Sequence, residues 1–401
     1  MRSEDARLRF EIVARDGSAR AGVLHTPHGT VETPCFVPLA TRGSVKGLLA
    51  DEVAEVGYEM VLGNTYHLML APGSDLIGEL GGLHRFMGWE RPIITDSGGF
   101  QVFSLAHGSV ADEVKGRRGR PPLQGGVLEI GEAGVRFRSY IDGSEQFLSP
   151  ERSMEIQAAL GSDIALAFDE CTPFHADRDY TAASTERTHR WLERCLAWHG
   201  ERGPSGQAVF GIVQGGTDED LRGASAAAIG KAGVDGIAIG GTLGRDKEQM
   251  RGVLEMTVGL LPESAPKHLL GIGEPDDLVD GIGRGLDSFD CAVPTRLGRH
   301  GMALAPLPER RFRFDLRRRA HQGDPGPLVE GCPCPACTRH SRAYVHYLSR
   351  AEEIGGVRLL TLHNLVYVVE LVGGARAAIL AGRYARYRDA ILAGAAPWEA
   401  R

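Results

Sequence analysis

Residues 208–216 read AVFGIVQGG: a short apolar run from Ala208 to Val213 that ends on an amide, Gln214, and a glycine pair. A run of this length stopped by turn residues is the pattern of a strand buried on both faces. The same grammar recurs outward in both directions. Candidate strands at Cys35–Leu39, Glu59–Gly63, Pro92–Thr95, Ile164–Phe168, Gly236–Ile239, His268–Ile272 and Ser288–Cys291 bring the number to eight. Helix-length segments separate most of them: Ser149–Leu160, Thr181–Arg202, Asp218–Ala232, Asp246–Leu261 and Pro275–Gly285. Ser149-Pro150-Glu151 starts one such helix, with proline at a first helical position. Eight strand–helix alternations predict an α/β fold with parallel strands closed into a (β/α)8 TIM barrel. A doubly wound open sheet is the rival, because periodicity does not report closure.

Two segments stand outside the alternation. Leu8–Ala14 and Ala21–His25 flank a turn at Asp16-Gly17 and predict an N-terminal hairpin over the barrel floor. After the third strand an insertion spans residues 107–144; its second half predicts another hairpin turning at Glu132-Ala133-Gly134. The basic tip Lys115–Pro122, KGRRGRPP, with its basic stretch Lys115–Arg120, has the composition of a mobile loop. The expected organisation is a barrel with these additions over residues 1–300 and a metal-binding, helical C-terminal region over 301–401.

Apolar residues make up 42% and charged residues 24% of the 401, which excludes disorder, collagen and coiled coil as overall descriptions. Leu365–Val369, among the longest apolar stretches, falls far short of the ~20 residues that span a bilayer. The start, MRSEDARLRF, lacks the basic and apolar regions of a signal peptide, so the expected compartment is the cytoplasm. The net charge of −7 hides an asymmetry. Between Cys291 and Arg350 there are 11 Arg against 4 acidic residues, a segment of +7 in a remainder of −14. Concentrated arginine is the footprint of a phosphate-binding face or, equally, of a solvated surface.

Polar motifs follow the strands. Thr95-Asp96-Ser97-Gly98-Gly99 follows the third, Phe168-Asp169-Glu170-Cys171 the fourth, Gln214-Gly215-Gly216 the fifth, Gly240-Gly241 the sixth and Gly273-Glu274-Pro275 the seventh; Phe289-Asp290-Cys291 ends the eighth. In a closed barrel these share the carboxyl-terminal rim, where such folds place active sites. Turn and cap chemistry accounts for Asp218 or Asp246, but not for a ring of carboxylates and an amide beside paired glycines. Carboxylates facing one cavity raise one another's pKa, which divides nucleophile from general acid/base, as in retaining attack on a sugar anomeric carbon. Gln214 offers both donor and acceptor to a flat heterocycle, and Phe100 offers a stacking face.

Cys332, Cys334 and Cys337 form C-x-C-x-x-C, three thiolates on one loop, and a tetrahedral zinc takes a fourth ligand. His340 and His363 are both candidates. Four protein ligands make such an ion structural.

TDSGGFQVFS, FDECTPF, FGIVQGG, GIGEP, FDCAVPTR and the C-x-C-x-x-C…H set together resemble the tRNA-guanine transglycosylases, the queuine-type tRNA ribosyltransferases of bacteria, in order from about Phe10 to Arg386. The resemblance implies a zinc-bearing TIM barrel that exchanges guanine at the wobble position of a G-U-N anticodon for a 7-deazaguanine base, acting as a homodimer. On the matching positions it implies Asp290 as nucleophile toward ribose C1′ and Asp96 as general acid/base. Asp169, Gln214 and the Gly241 backbone would read the base edge, with Phe100 and Leu270 sandwiching the ring. Arg296 and Arg299 would contact the anticodon loop, and Cys332, Cys334, Cys337 and His363 would hold one structural zinc. Where the bacterial pattern runs Leu-Ala-Val-Gly-Glu this chain has Thr242-Leu243-Gly244-Arg245-Asp246, so Gly244 leaves more room beside the 7-substituent than valine does, while Cys171 keeps the bacterial pattern. Pocket room of that kind suits the bulkier queuine as well as the prequeuine base. A non-catalytic, RNA-binding accessory subunit is the alternative, and retention of Asp96, Asp169 and Asp290 argues against it. A small-molecule hydrolase with a catalytic zinc is a third reading, against which the four-ligand set argues.

Overall fold

The computed structural model describes residues 8–101, 126–172, 174–241 and 243–400. The chain opens with an antiparallel sheet of β1 (Arg9–Asp16), β2 (Ala19–Thr26) and β3 (Gly29–Thr33). Barrel strands β4 (Cys35–Ala40), β5 (Val61–Gly63) and β6 (Ile93–Thr95) follow. The insertion contributes a second antiparallel sheet of β7 (Val127–Gly131), β8 (Gly134–Arg138) and β9 (Glu145–Leu148). Its turn falls at the expected place, with Gly131 opposite Gly134; the basic stretch Lys115–Arg120 lies outside the described residues. Then come β10 (Ile164–Leu166), β11 (Ala208–Val213), β12 (Gly236–Ile239), β13 (Lys267–Leu269) and β14 (Ser288–Cys291).

All eight barrel strands pair in parallel, and β14 returns to β4 with Ser288 opposite Cys35 and Asp290 opposite Val37. Closure decides for the barrel and against the open sheet. Alternation along each strand makes both faces apolar. Val37, Leu62, Ile94, Leu166, Phe210 and Ile212 share the interior with Leu24 and Val31 of the N-terminal sheet, which closes the barrel floor. Phe36, Val61, Ile93, Val209, Val213 and Phe289 join the larger cluster on the other face of the strands.

The structure differs from the expected elements at several places. The N-terminal hairpin has a third strand: β3, sequence GTVET, is too short and too polar to announce itself, and it exists by pairing with β2. β10 ends at Leu166, two residues early, and β13 runs Lys267–Leu269 rather than to Ile272. There the chain leaves the ladder to form the rim: Gly271 takes φ +74 and turns its N–H toward Asp290. A 27-residue helix, Ile354–Leu380, is long and apolar enough to cross a membrane by length and composition. Its Leu360, Leu365, Tyr367, Val368, Leu371 and Ala375 are fully buried, and the helix lies against β1, β2 and β4.

One buried ion pair bolts the floor to the wall. Arg20 on β2 donates through Nε to Asp287 Oδ1 at 2.8 Å and through Nη2 to Oδ2 at 2.5 Å, and reaches the carbonyls of Glu263 and Ala265. Both side chains are at most 1% exposed. Replacing one partner strands the other charge out of water, which costs about 3–5 kcal/mol. Arg20→Leu is therefore expected to lower unfolding stability by that amount in urea titration, and Arg20→Leu/Asp287→Leu to recover a substantial part. Wild-type stability in the single variant would show that the bolt carries no load.

Candidate active site and metal cluster

Asp96 directly follows β6, Asp169 stands three residues past the end of β10, and Asp290 is the third residue of β14, so all three lie at one end of the barrel. Asp96 is held on both oxygens. Oδ1 accepts from the backbone N–H of Thr65 at 2.9 Å and of Gly98 at 3.2 Å; Oδ2 accepts from the Asn64 side-chain amide and from Gln101 Nε2 at 3.2 Å. Those donors lower its pKa, yet burial outweighs them and the Asp290 charge adds to it, so the group is pushed up to about 7. The Asp290 charge reaches Asp96 across the same end of the barrel.

Asp169 is 5% exposed. Its Oδ1 accepts from Ser97 Oγ at 2.9 Å and its Oδ2 from Gln214 Nε2 at 2.7 Å, and burial raises it to about 6 against those two bonds. Gly99 allows the approach, since a Cβ there would stand 2.5 Å from the Asp169 carbonyl oxygen. Gln214 is wholly buried, and its Oε1 accepts no hydrogen bond among the described residues. A buried acceptor in that condition costs on the order of 1–3 kcal/mol unless a ligand supplies a donor. Gly241, at φ +77, lies so close that a Cβ would collide with this same oxygen. Its N–H donates to the sulfur of Cys171, whose thiol burial and the Asp169 charge push up to about 12. Leu270 flanks the group: a Cβ on Gly240 would stand 3.2 Å from Gln214 Nε2 and 3.3 Å from Leu270 Cδ1.

The structure thus brings Asp169, Gln214, Gly241, Cys171 and Leu270 together, with Asp96 tied to them through its neighbour Ser97 and Asp290 at the same end of the barrel. Phe100 stands just beyond Gly99 and is 45% exposed. Gly244, at φ +118, is backed by Gln249: a Cβ there would meet that side chain at 2.8 Å, and Gln249 Oε1 accepts from the Arg245 N–H. Thr242 lies outside the described residues. Arg296 and Arg299 are both exposed on the helix Val293–Arg299, immediately after β14.

Four contributors escaped the sequence reading. Asn64 caps the helix Thr65–Leu70 through Oδ1 while its amide holds Asp96. Its signal was present, since Asn64-Thr65 follows the second barrel strand as the other motifs follow theirs. Arg42 and Lys46, in the loop after β4, extend the basic face: the Lys46 ammonium is held below its usual range by burial, then by Arg299 and Arg42. His268 lies within 3.1 Å of Asp290.

Cys332, Cys334 and Cys337 present their sulfurs 3.6, 3.3 and 3.4 Å from His363 Nδ1. His363 Nε2 donates to the Leu304 carbonyl at 2.8 Å, which leaves the Nδ1 lone pair facing the sulfurs. The four ligand atoms fall within 4.8 Å of one another, a set able to hold a metal ion. His340 stacks on Tyr344, and the donor that joins the three sulfurs is His363. Two other donor clusters are built differently. His28 and His84 both face Asp163, but their rings stack 3.6 Å apart at 17°, so their in-plane lone pairs run side by side rather than converge on one ion. Glu274, Asp276 and Asp277 already share the Lys247 ammonium. Cys334→Ser is expected to lose bound metal and to lower the thermal midpoint, checked by elemental analysis and calorimetry on the same sample. Full metal content in that variant would remove Cys334 from the ligand set.

Comparison with known proteins agrees with this geometry. The model of the family described as queuine tRNA-ribosyltransferase matches residues 16–396. A queuine tRNA-ribosyltransferase of Roseiflexus sp. (strain RS-1) is 52% identical over 392 residues, covering 95% of this chain and 98% of that protein. Proteins of the same name from Pelotomaculum thermopropionicum and Cereibacter sphaeroides are 49% and 48% identical, covering 96% and 95% of this chain and 97% and 95% of their own lengths. The chain belongs to the queuine tRNA-ribosyltransferase family.

Proposed function

We propose that this protein is a tRNA-guanine transglycosylase, a pentosyltransferase that exchanges guanine at the wobble position of a G-U-N anticodon for a 7-deazaguanine base through a covalent aspartyl-ribose intermediate. The observation that carries the reading is the gathering of Asp96, Asp169 and Asp290 at one end of the barrel, with the unpartnered amide oxygen of Gln214 beside Asp169. A guanine edge offers adjacent N1–H and 2-amino donors, which match those two acceptors. Leu270 packs on the ring, and Phe100 closes over it from its exposed position.

Asp290 attacks C1′. The C1′–N9 bond breaks, the C1′–O bond forms, and the electron pair leaves with the base. Asp96, protonated through its raised pKa, supplies the proton that the departing base takes. The incoming base binds in the same slot, returns a proton to Asp96 and displaces Asp290. Arg296 and Arg299, joined by Arg42 and Lys46, contact the phosphates of the anticodon loop. Cys332, Cys334, Cys337 and His363 fit zinc, whose preference for thiolate and imidazole in tetrahedral array they satisfy; bound there, zinc supplies structure and not chemistry. The pocket accepts prequeuine base, and queuine when Gln249 turns aside from Gly244.

The test is incubation with a tRNA bearing a U-G-U anticodon sequence and labelled guanine, each deazaguanine being offered as competitor. Label uptake blocked by prequeuine base and by queuine is expected; no uptake overturns the function, and uptake that queuine leaves untouched overturns the wider pocket. Asp290→Asn should abolish both exchange and the covalent tRNA adduct, and survival of either would remove Asp290 as nucleophile.

The two raised carboxyls also set a pH profile. Asp96 must carry a proton to expel guanine, so single-turnover adduct formation should fall as pH rises through about 7. Asp169 must be ionised to accept from the base, so base binding should weaken as pH falls through about 6. An adduct-formation rate that stays flat between pH 6 and 9 would assign the proton to another group.

A further inference from the structure

His268 is fully buried on β13, opposite Ser288 of β14 in the ladder. Asp290 lies two residues further along β14 and so shares the face of Ser288. The imidazole spans both rungs: Nδ1 is 2.8 Å from Ser288 Oγ, and Nε2 is 3.1 Å from Asp290 Oδ1. A carboxylate only accepts, so Nε2 carries the hydrogen; in the neutral ring Nδ1 then accepts from the Ser288 hydroxyl. Oδ1 takes a second donor, the Gly271 N–H at 3.2 Å, whereas Oδ2 accepts no hydrogen bond among the described residues. One oxygen is anchored and the other is left to react.

We infer that His268, locked in its Nε2–H form by Ser288, is a positioning residue that aims Asp290 Oδ2 at the ribose carbon and makes Asp290 a good leaving group in the second half of the exchange. The inference rests on Asp290 being the nucleophile. When Oδ2 bonds to C1′, Oδ1 becomes a neutral ester carbonyl and its hydrogen bonds weaken. When the incoming base nitrogen attacks C1′, the C1′–Oδ2 bond breaks, its electron pair returns to the carboxylate, and both donors recover a charged acceptor. The donors therefore favour free carboxylate over ester, and the adduct turns over instead of accumulating. In the free enzyme the same two bonds fix the carboxylate plane, so attack starts from an oriented oxygen.

The experiment compares wild type, His268→Leu, His268→Gln and Ser288→Ala in steady-state exchange and in a chase, where preformed covalent tRNA adduct is mixed with excess guanine and its decay is followed on denaturing gels. Loss of one charge-assisted donor should lower kcat of His268→Leu roughly 10- to 100-fold, leave KM for tRNA and base within about twofold, and lengthen the adduct half-life about tenfold. His268→Gln, whose Nε2 reaches a similar position, should return to within about fivefold of wild type. Ser288→Ala should lower kcat about three- to tenfold, and it keeps the inference testable if His268→Leu does not fold. A general structural defect would not slow the breaking of the C1′–Oδ2 bond and would leave the half-life unchanged. Wild-type half-life in His268→Leu, a loss carried by KM, failure of His268→Gln to recover, or wild-type kcat in Ser288→Ala overturns the role of His268 and leaves the aspartyl reading standing. Exchange by wild type without any adduct overturns the aspartyl reading itself.

Discussion

Carboxyl groups withdrawn from water at the rim of a closed barrel are the constraint on which everything else in this protein depends. Closure through the β14–β4 ladder brings Asp290 round to the strands that carry Asp96, nearly two hundred residues earlier in the chain. Such groups persist only where donors surround them, and the loops after β5, β6, β11 and β13 put donors in place. Thr65, Gly98, Asn64 and Gln101 serve Asp96; Ser97 and Gln214 serve Asp169; Gly271 and His268 serve Asp290. The rim glycines are part of the same solution, because Gly99 and Gly241 stand where any side chain would push the polar groups apart.

Burial raises Asp96 and Asp169 unequally, and the inequality is chemically useful. Asp96 has four donors but faces the charge of Asp290, and it rests near 7. Asp169 has two donors, feels Glu170 as a minor contribution, and rests near 6. At neutral pH the first is poised to hold or release a proton while the second is mostly an acceptor. A division of labour between like groups follows from which neighbours each one has, without any difference in residue type.

The barrel and most of the rim were legible in the sequence because both depend on local pattern. Eight apolar runs of strand length, each stopped by a polar or glycine motif, state where strands end and where their ends gather. The ligand trio was legible for the same reason, since Cys332, Cys334 and Cys337 sit on one loop. What escaped was set by contacts between segments distant in the chain. β3 exists only through β2, and the choice of His363 over His340 depends on how a helix packs. His268 reads as one more residue of a buried strand until the neighbouring strand puts Ser288 and Asp290 beside its two nitrogens. Arg42 and Lys46 belong to the basic face through the loop after β4, while the counted arginines lie some 250 residues later.

The metal cluster, although remote in sequence from the carboxylates, is joined to the basic face by short links. His363 donates to the Leu304 carbonyl, and the next residue, Asn364, accepts from the Leu304 N–H at 2.7 Å and donates to the carbonyls of Pro294 and Met302. Pro294 lies in the helix Val293–Arg299, which bears Arg296 and Arg299 and starts two residues past Asp290's neighbour Cys291. Gly298 of that helix packs so tightly on the long C-terminal helix that a Cβ would stand 2.7 Å from the Thr361 N–H. A metal ion that fixes His363 would therefore fix the register of the long helix, and through Asn364 and Gly298 the position of the helix that follows β14. An ion held by these four ligands would set where the arginines stand relative to Asp290, so its reach would extend from the C-terminal region to the mouth of the barrel.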